Sequence, residues 1–449
     1  MLNARTVAVL AAFPVALAAG CDVGQTVAKG SGGAGGSGNG GSTATNGSSV
    51  GGNGGGTAST SSSGRPSTST SGTASGTAST TSSGTASGTA STTSSGTTSA
   101  SSSSTTTSSG SSVSGLHVSG NKLVDNGATV RLLGVDTSGT EYQCVSANAG
   151  FFDVGGGAPT QQFVNDMKAW KINAVRVPLN EDCWLGINGL PNGSNASAYQ
   201  TAIEGYVNLL RQNGLYVIVD LHWNNGGGSQ SNGQTQMADL DHAPAFWTGV
   251  AGAFKGDQGV VFDLYNEPHD IAWSCWQNGG CQVNGWNVAG MNQLITAVRG
   301  TGATNVVMAG GISYSGDLSE WLANKPSDPM GNLAASFHTY NFSNCGNSGC
   351  WSSQLQPVAA QVPIITGEMG ENCDGANQQF QGEAAGADYI NSYMSWADSN
   401  GVSYLAWAWN PDFNTCSGPS LNNSGNWTGT SPSSPFGTDF HSHMQSVGP

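Results

Sequence analysis

Along residues 114–449, short apolar runs alternate with segments whose apolar residues recur every three to four positions. The runs are Val130–Val135, Ala174–Pro178, Tyr216–Leu221, Val260–Tyr265, Val306–Ala309, Ala334–His338, Ile364–Glu368 and Ser403–Trp409. Their β-branched and aromatic content, with Gly-rich turns around them, reads as buried strands. Thr160–Trp170, Ala198–Asn213, Ala245–Phe254 and Gly285–Gly300 carry the helical period. Eight strands alternating with helices predict an α/β fold, a closed (β/α)8 barrel rather than an open sheet. No Gly-x-Gly-x-x-Gly opens a helix after the first strand, which weighs against nucleotide binding.

The amino-terminal quarter has no such pattern. Residues 22–113 are almost entirely Gly, Ser, Thr and Ala, with no aromatic residue and only Asp22, Lys29 and Arg65 charged. Such a tract buries too little apolar surface to offset chain entropy, so residues 21–113 are expected to be a disordered linker. As a flexible coil it would reach roughly 50–60 Å. Ahead of it, Arg5 and the apolar stretch Val7–Ala19 read as an export signal over residues 1–20. Ala18-Ala19-Gly20-Cys21 resembles a lipoprotein signal in which Cys21 is lipidated, although Leu17 stands one position further from the Cys than that pattern prefers. Ordinary secretion is the rival expectation.

The remaining domain, 114–449, is acidic, with nine Lys and Arg against 26 Asp and Glu. That balance disfavours nucleic acid and anionic membranes as partners. Eight Cys lie behind the signal, and an even count in an exported chain implies disulfides. Cys275 with Cys281 and Cys345 with Cys350 would staple single loops, while Cys144–Cys183 and Cys373–Cys416 would join neighbouring ones. Zinc fits the spacings poorly, since no Cys-x2-Cys occurs.

Polar residues cluster where the predicted strands end. Arg176 ends the second and His222 the third; Asn266 and Glu267 end the fourth, His338 the sixth and Glu368 the seventh. In a barrel these ends converge on one face, the face that carries active sites. Glu267 and Glu368 follow apolar strands that oppose one another across the ring. Paired carboxylates are the requirement of glycoside hydrolysis, one protonating the leaving oxygen and the other attacking or activating water.

These residues carry a resemblance. Asn-Glu-Pro at 266–268 and Gly-Glu-x-Gly at 367–370 resemble glycoside hydrolase family 5, the family of many bacterial cellulases. Val175–Pro178, Asp220–Trp223, Phe337–Tyr340 and Trp407–Asp412 continue the likeness in the same order, over essentially all of residues 114–440. The resemblance implies that Glu368 is the nucleophile and Glu267 the acid/base, with its pKa raised by its acidic neighbour. It implies that Arg176 keeps Glu368 ionised and that Asn266 binds the sugar 2-hydroxyl. His222 and His338 would line the subsite of the cleaved sugar, Tyr340 would hydrogen-bond Glu368, and Trp407 would floor the subsite. The carboxyls are then expected about 5–5.5 Å apart, the retaining spacing.

The expected function is an exported, lipid-anchored, monomeric retaining endo-β-1,4-glucanase acting on a polysaccharide, with no cofactor and no metal. A β-mannanase or another β-glucanase is the alternative within the family. A surface glycan-binding protein is the alternative of another class, disfavoured because a binder needs no paired acid and nucleophile. Trp184, Trp223, Trp273, Trp276, Trp351 and Trp409 lie in or beside strand-end loops, and half are expected to face sugar, Trp273 and Trp276 foremost. Asp317 is expected to cap a helix through Trp321. Asp239 and Asp241 lack a calcium-loop signature, and His441 and His443 are expected in a frayed tail.

Overall fold

The computed structural model describes residues 115–448, apart from 147–149, 154–156, 192–194, 372–387, 410–420, 422–430 and 433. The expectations for residues 1–113, including Cys21, and for Cys373 and Cys416 fall outside the described residues. In chain order the strands are β1 (His117–Ser119), β2 (Lys122–Asp125), β3 (Ala128–Val130), β4 (Leu133–Asp136), β5 (Ala174–Asn180), β6 (Tyr216–Trp223) and β7 (Val260–Asp263). They continue with β8 (Gln282–Val283), β9 (Trp286–Asn287), β10 (Val307–Gly310), β11 (Leu333–Tyr340), β12 (Ile364–Gly370) and β13 (Ser403–Ala406).

Eight of these close into a parallel barrel, in which β4 pairs with both β5 and β13. All eight predicted strands are present. The first differs from expectation: Val130 ends β3 of an antiparallel meander, and the barrel strand begins only at Leu133. The meander has a packing role. Its Leu123 and the neighbouring Leu116 join Ala174, Ile218, Val261, Met308, Ala334, Ile365 and Leu405 in one cluster inside the strand-start end of the barrel. That inward layer is built from alternate strand positions, as the pleat demands. At Gly134 a Cβ would lie 1.8 Å from the Ala174 carbonyl oxygen, so β4 and β5 approach more closely there than any side chain permits.

The outward positions of the same strands, Val175, Val177, Val217, Val219 and Phe262, pack under helices Gln161–Ala169, Ala196–Gln212, Ala243–Phe254 and Met291–Gly300. Polar caps set two of the starts. Thr160 accepts from the Phe163 amide and Asn195 from the Ala198 amide. The segment Gly285–Gly290, expected as helix, instead holds β9 of a hairpin, and the helix starts at Met291. The chain end is a helix too, Pro435–Val447, where His443 Nε2 lies 2.9 Å from Asp398. His441 packs on Trp170 at 4.7 Å, so neither His is in a frayed tail. Asp317 caps no helix; its Oδ1 accepts the Ser319 amide in a turn.

Disulfides join Cys144 to Cys183, Cys275 to Cys281 and Cys345 to Cys350, as expected. Three such bonds belong to an oxidising compartment.

Candidate active site

Arg176 is the centre of the site. It stands within β5 rather than at its end, and its inward side chain is fully buried. Its guanidinium reaches carboxylates on four other strands: Asp136 on β4 at 3.2 Å, Asp220 on β6 at 3.2 Å, Asp263 on β7 at 3.2 Å and Glu368 on β12 at 2.8 Å. Burial opposes its charge, but these four acids outweigh burial and hold the guanidinium firmly protonated. One cation among four acids leaves the acids under-compensated. Burial pushes the Asp263 carboxyl up to about 7 and raises Asp136 well above the usual range, against the pull of Arg176.

Glu368 receives two fixed donors. Arg176 binds Oε1, and the Tyr340 hydroxyl donates to Oε2 at 2.6 Å. Burial and the adjacent negative charge of Glu368 raise the Tyr340 phenol far above its ordinary range, so it remains a donor. The backbone around Glu368 is shaped for this. Strand pairings slip register at Phe337/His338 and between Thr366 and Met369, bulges that re-aim side chains at the rim. At Gly367, a Cβ would lie 2.9 Å from His338 Nε2, and only glycine admits the ring so close.

Glu267 follows β7 by four residues and meets different neighbours. His338 Nδ1 lies 2.9 Å from its Oε1, and Gln234 Nε2 donates to its Oε2 at 3.0 Å and to its backbone oxygen at 3.1 Å. Burial pushes the Glu267 carboxyl up to about 7, while the Gln234 hydrogen bond favours the ionised form. Burial, rather than the charge of Glu368, is thus the leading cause of the shift that the sequence suggested. Burial also lowers His338 to about 3, so the ring is neutral near pH 7. A neutral imidazole either donates Nδ1–H to ionised Glu267 or accepts the proton of protonated Glu267. An oxygen of Glu267 and one of Glu368 lie within 4.8 Å of each other.

The remaining predicted residues converge on the same place. Asn266 Oδ1 accepts from Arg176 at 2.8 Å. His222 Nδ1 lies 2.8 Å from Asp220; burial opposes its protonation, but Asp220 and Glu141 together outweigh burial and raise its pKa. The His222 ring stacks on Trp407, centroids 5.4 Å apart and planes 10° from parallel. Trp407 stands one residue past β13 and is partly exposed.

Five of the six loop tryptophans go elsewhere. Trp184, Trp273, Trp276, Trp351 and Trp409 are buried. Trp273 and Trp276 pack edge to face at 5.0 Å, and the Trp276 indole donates to the Gly310 carbonyl. Both are core, contrary to expectation. Only Trp223, tilted against Tyr142 at 6.1 Å, is half-exposed beside the site.

Gln234, Asp136, Asp220, Asp263 and Glu141 were not assigned roles from the sequence. The three Asp had a signal, since Asp220 interrupts an apolar strand and Asp136 and Asp263 each end one, all at inward positions. Glu141, pushed up to about 7 by burial, is close enough to His222 for their charges to interact. Gln234 had none, because it lies in a polar loop 33 residues before its partner.

Residues 125–413 match Cellulase, glycosyl hydrolase family 5. The manganese dependent endoglucanase Eg5A of Phanerodontia chrysosporium is 27% identical over 256 residues, 53% of this chain and 61% of that protein. Endoglucanase MaCel5A of Microbulbifer sp. (strain ALW1) is 24% identical over 315 residues, 67% of this chain and 52% of that protein. The chain therefore spans between half and two-thirds of the length of these relatives. The crystal structure of the β-glucanase SdGluc5_26A from Saccharophagus degradans shares the fold, with a TM-score of 0.56 at 20% identity over 74% of this chain and 93% of that one. The family match takes in all eight barrel strands and every residue placed around Arg176, and the chain belongs to the cellulase family, glycosyl hydrolase family 5.

Proposed function

We propose that the protein is a retaining endo-β-glycanase acting on β-1,4-glucan. The observation that carries this reading is the approach of Glu267 and Glu368 to within 4.8 Å in unlike environments. Inverting enzymes need roughly 6.5–9.5 Å between carboxyls to admit a water, whereas a closer pair suits covalent catalysis. Glu368, held by Arg176 and Tyr340, attacks the anomeric carbon as the bond to the leaving oxygen breaks. Glu267, protonated below about pH 7, gives that oxygen its proton. Water then enters, Glu267 takes its proton, and the sugar–Glu368 bond breaks to restore the carboxylate. His338 steadies Glu267 in both halves because its neutral ring serves either protonation state. Trp407, stacked on His222, offers an apolar face to the sugar ring. The Asn266 amide gives Oδ1 to Arg176 and one Nδ2 hydrogen to Gln234 Oε1 at 3.4 Å, and keeps the other Nδ2 hydrogen for a sugar hydroxyl.

The names of the endoglucanase relatives support glucan as substrate. The test is reducing-sugar release from soluble β-1,4-glucan and β-mannan, side by side, with Glu368→Gln as control. Release from glucan, lowered about 10⁴-fold or more in the variant, is expected. Release from mannan alone keeps the two carboxylates and replaces the substrate. Folded protein releasing sugar from neither overturns the reading. We further propose export and anchoring through a lipidated Cys21, with the linker holding the barrel off the envelope. Cys21→Ala should move the enzyme from the membrane fraction to the medium, and an unchanged distribution refutes anchoring.

A further inference from the structure

A second polar cluster lies away from the carboxylate pair, between the loops that follow β5 and β6. Glu181 stands immediately after β5, and Asp239 and His242 close the loop ahead of helix Ala243–Phe254. One donor atom from each of the three lies within 4.8 Å of the other two. Glu181 is fully buried, and neither of its side-chain oxygens makes a hydrogen bond of ordinary geometry. His242 Nδ1 is likewise buried without a hydrogen bond, 3.5 Å from Asp239. No Lys or Arg pairs with Glu181 or Asp239 among the described residues. Two buried carboxyls facing each other with an imidazole nitrogen beside them form a compact donor set, and a cation seated there would take the place of the proton that burial and Asp239 otherwise hold on Glu181.

We propose that Glu181, Asp239 and His242 bind a first-row divalent cation such as Mn²⁺ or Zn²⁺. Two carboxylates and an imidazole suit these ions, whereas Ca²⁺ and Mg²⁺ prefer oxygen alone. The manganese in the name of the Phanerodontia relative belongs to that protein; the site here rests on these three side chains. Its consequence reaches the active site through one loop. Asn224 donates to Asp239 at 3.0 Å, and Thr235 and Tyr265 both donate to Asn224 Oδ1. Gln234, the donor to Glu267, is next to Thr235 on this loop. A cation at Asp239 therefore fixes both ends of the segment that positions Gln234.

The test uses the full chain, stripped with chelator and titrated with Mn²⁺ and separately with Zn²⁺ by calorimetry and thermal melting. One equivalent should bind, with a rise of several degrees in Tm at a hundredfold excess over Kd. Glu181→Gln should abolish both effects while melting no lower than wild type without metal, since the amide keeps the shape of the uncharged carboxyl. His242→Ala should weaken binding at least tenfold, and Glu368→Gln should leave binding intact. No binding up to millimolar metal, wild-type affinity in Glu181→Gln or His242→Ala, or loss of binding in Glu368→Gln would each overturn the proposal. The last would place the ion at the catalytic pair.

Discussion

Gln234→Leu isolates what one loop side chain does to the acid/base. Leucine keeps much of the volume and removes the donor that lies 3.0 Å from Glu267 Oε2. That hydrogen bond stabilises the ionised carboxylate, so its loss favours the protonated acid. A hydrogen bond to a charged group contributes about 1.5–3 kcal/mol, and about 1.4 kcal/mol moves a pKa by one unit. The second bond, to the backbone oxygen of Glu267, is indifferent to protonation and adds little to the shift. Burial sets Glu267 at about 7 in the intact enzyme, so activity should fall as pH rises through that value. In the variant this alkaline limb should move up by about one to two units. The assay is kcat/KM for a soluble cello-oligosaccharide from about pH 4 to about pH 10, because kcat/KM reports the ionisation of the unliganded enzyme. A limb that stays in place, or moves toward acid, would refute the reasoning and remove Glu267 from the acid role or Gln234 from its control.

The other predictions concern the barrel interior and its staples. Arg176→Met should cost about 3–5 kcal/mol of stability or more by urea titration, since four buried acids lose the cation they share. Asp136 and Asp263 already bind protons more tightly when folded than unfolded, so this deficit should be largest above pH 7 and shrink toward pH 4, where both are protonated in the folded protein. A deficit that grows toward acid would contradict that assignment. Replacing both Cys144 and Cys183 by Ser opens a loop with a sequence separation of 39, for which loop entropy gives a loss of about 4 kcal/mol in thermal or urea unfolding. Trp223→Ala should lower activity on long glucans more than on short ones if its half-exposed ring holds a distant sugar, and an equal loss on both would make it packing alone.

Much of the site was legible because its residues are tied to local rules. An inward carboxylate, arginine or histidine in an apolar strand is recognisable from the period-2 pattern alone, and parallel strands must deliver such residues to one mouth. Arg176, His222, Asn266, Glu267, His338 and Glu368 were found at predicted strand ends, and Tyr340 and Trp407 through the resemblance of the ordered motifs to glycoside hydrolase family 5. The tryptophans were not. Whether Trp273 faces sugar or Trp276 depends on how the loop folds back over the barrel, and apolar burial draws both inward.

The sequence by itself determined the alternation of strand and helix and the two carboxylates, and it suggested the disulfide pairs within single loops. Each of these depends on spacing along the chain. Only the tertiary structure decided that Arg176 serves four acids at once, that burial more than mutual repulsion tunes Glu267, and that Gln234 holds it. It also packed Leu123 of the meander and the neighbouring Leu116 against the barrel floor and brought Glu181 to Asp239 and His242. Those facts depend on desolvation and on distances between residues remote in sequence. A one-dimensional pattern does not encode either until the ring of strands has closed.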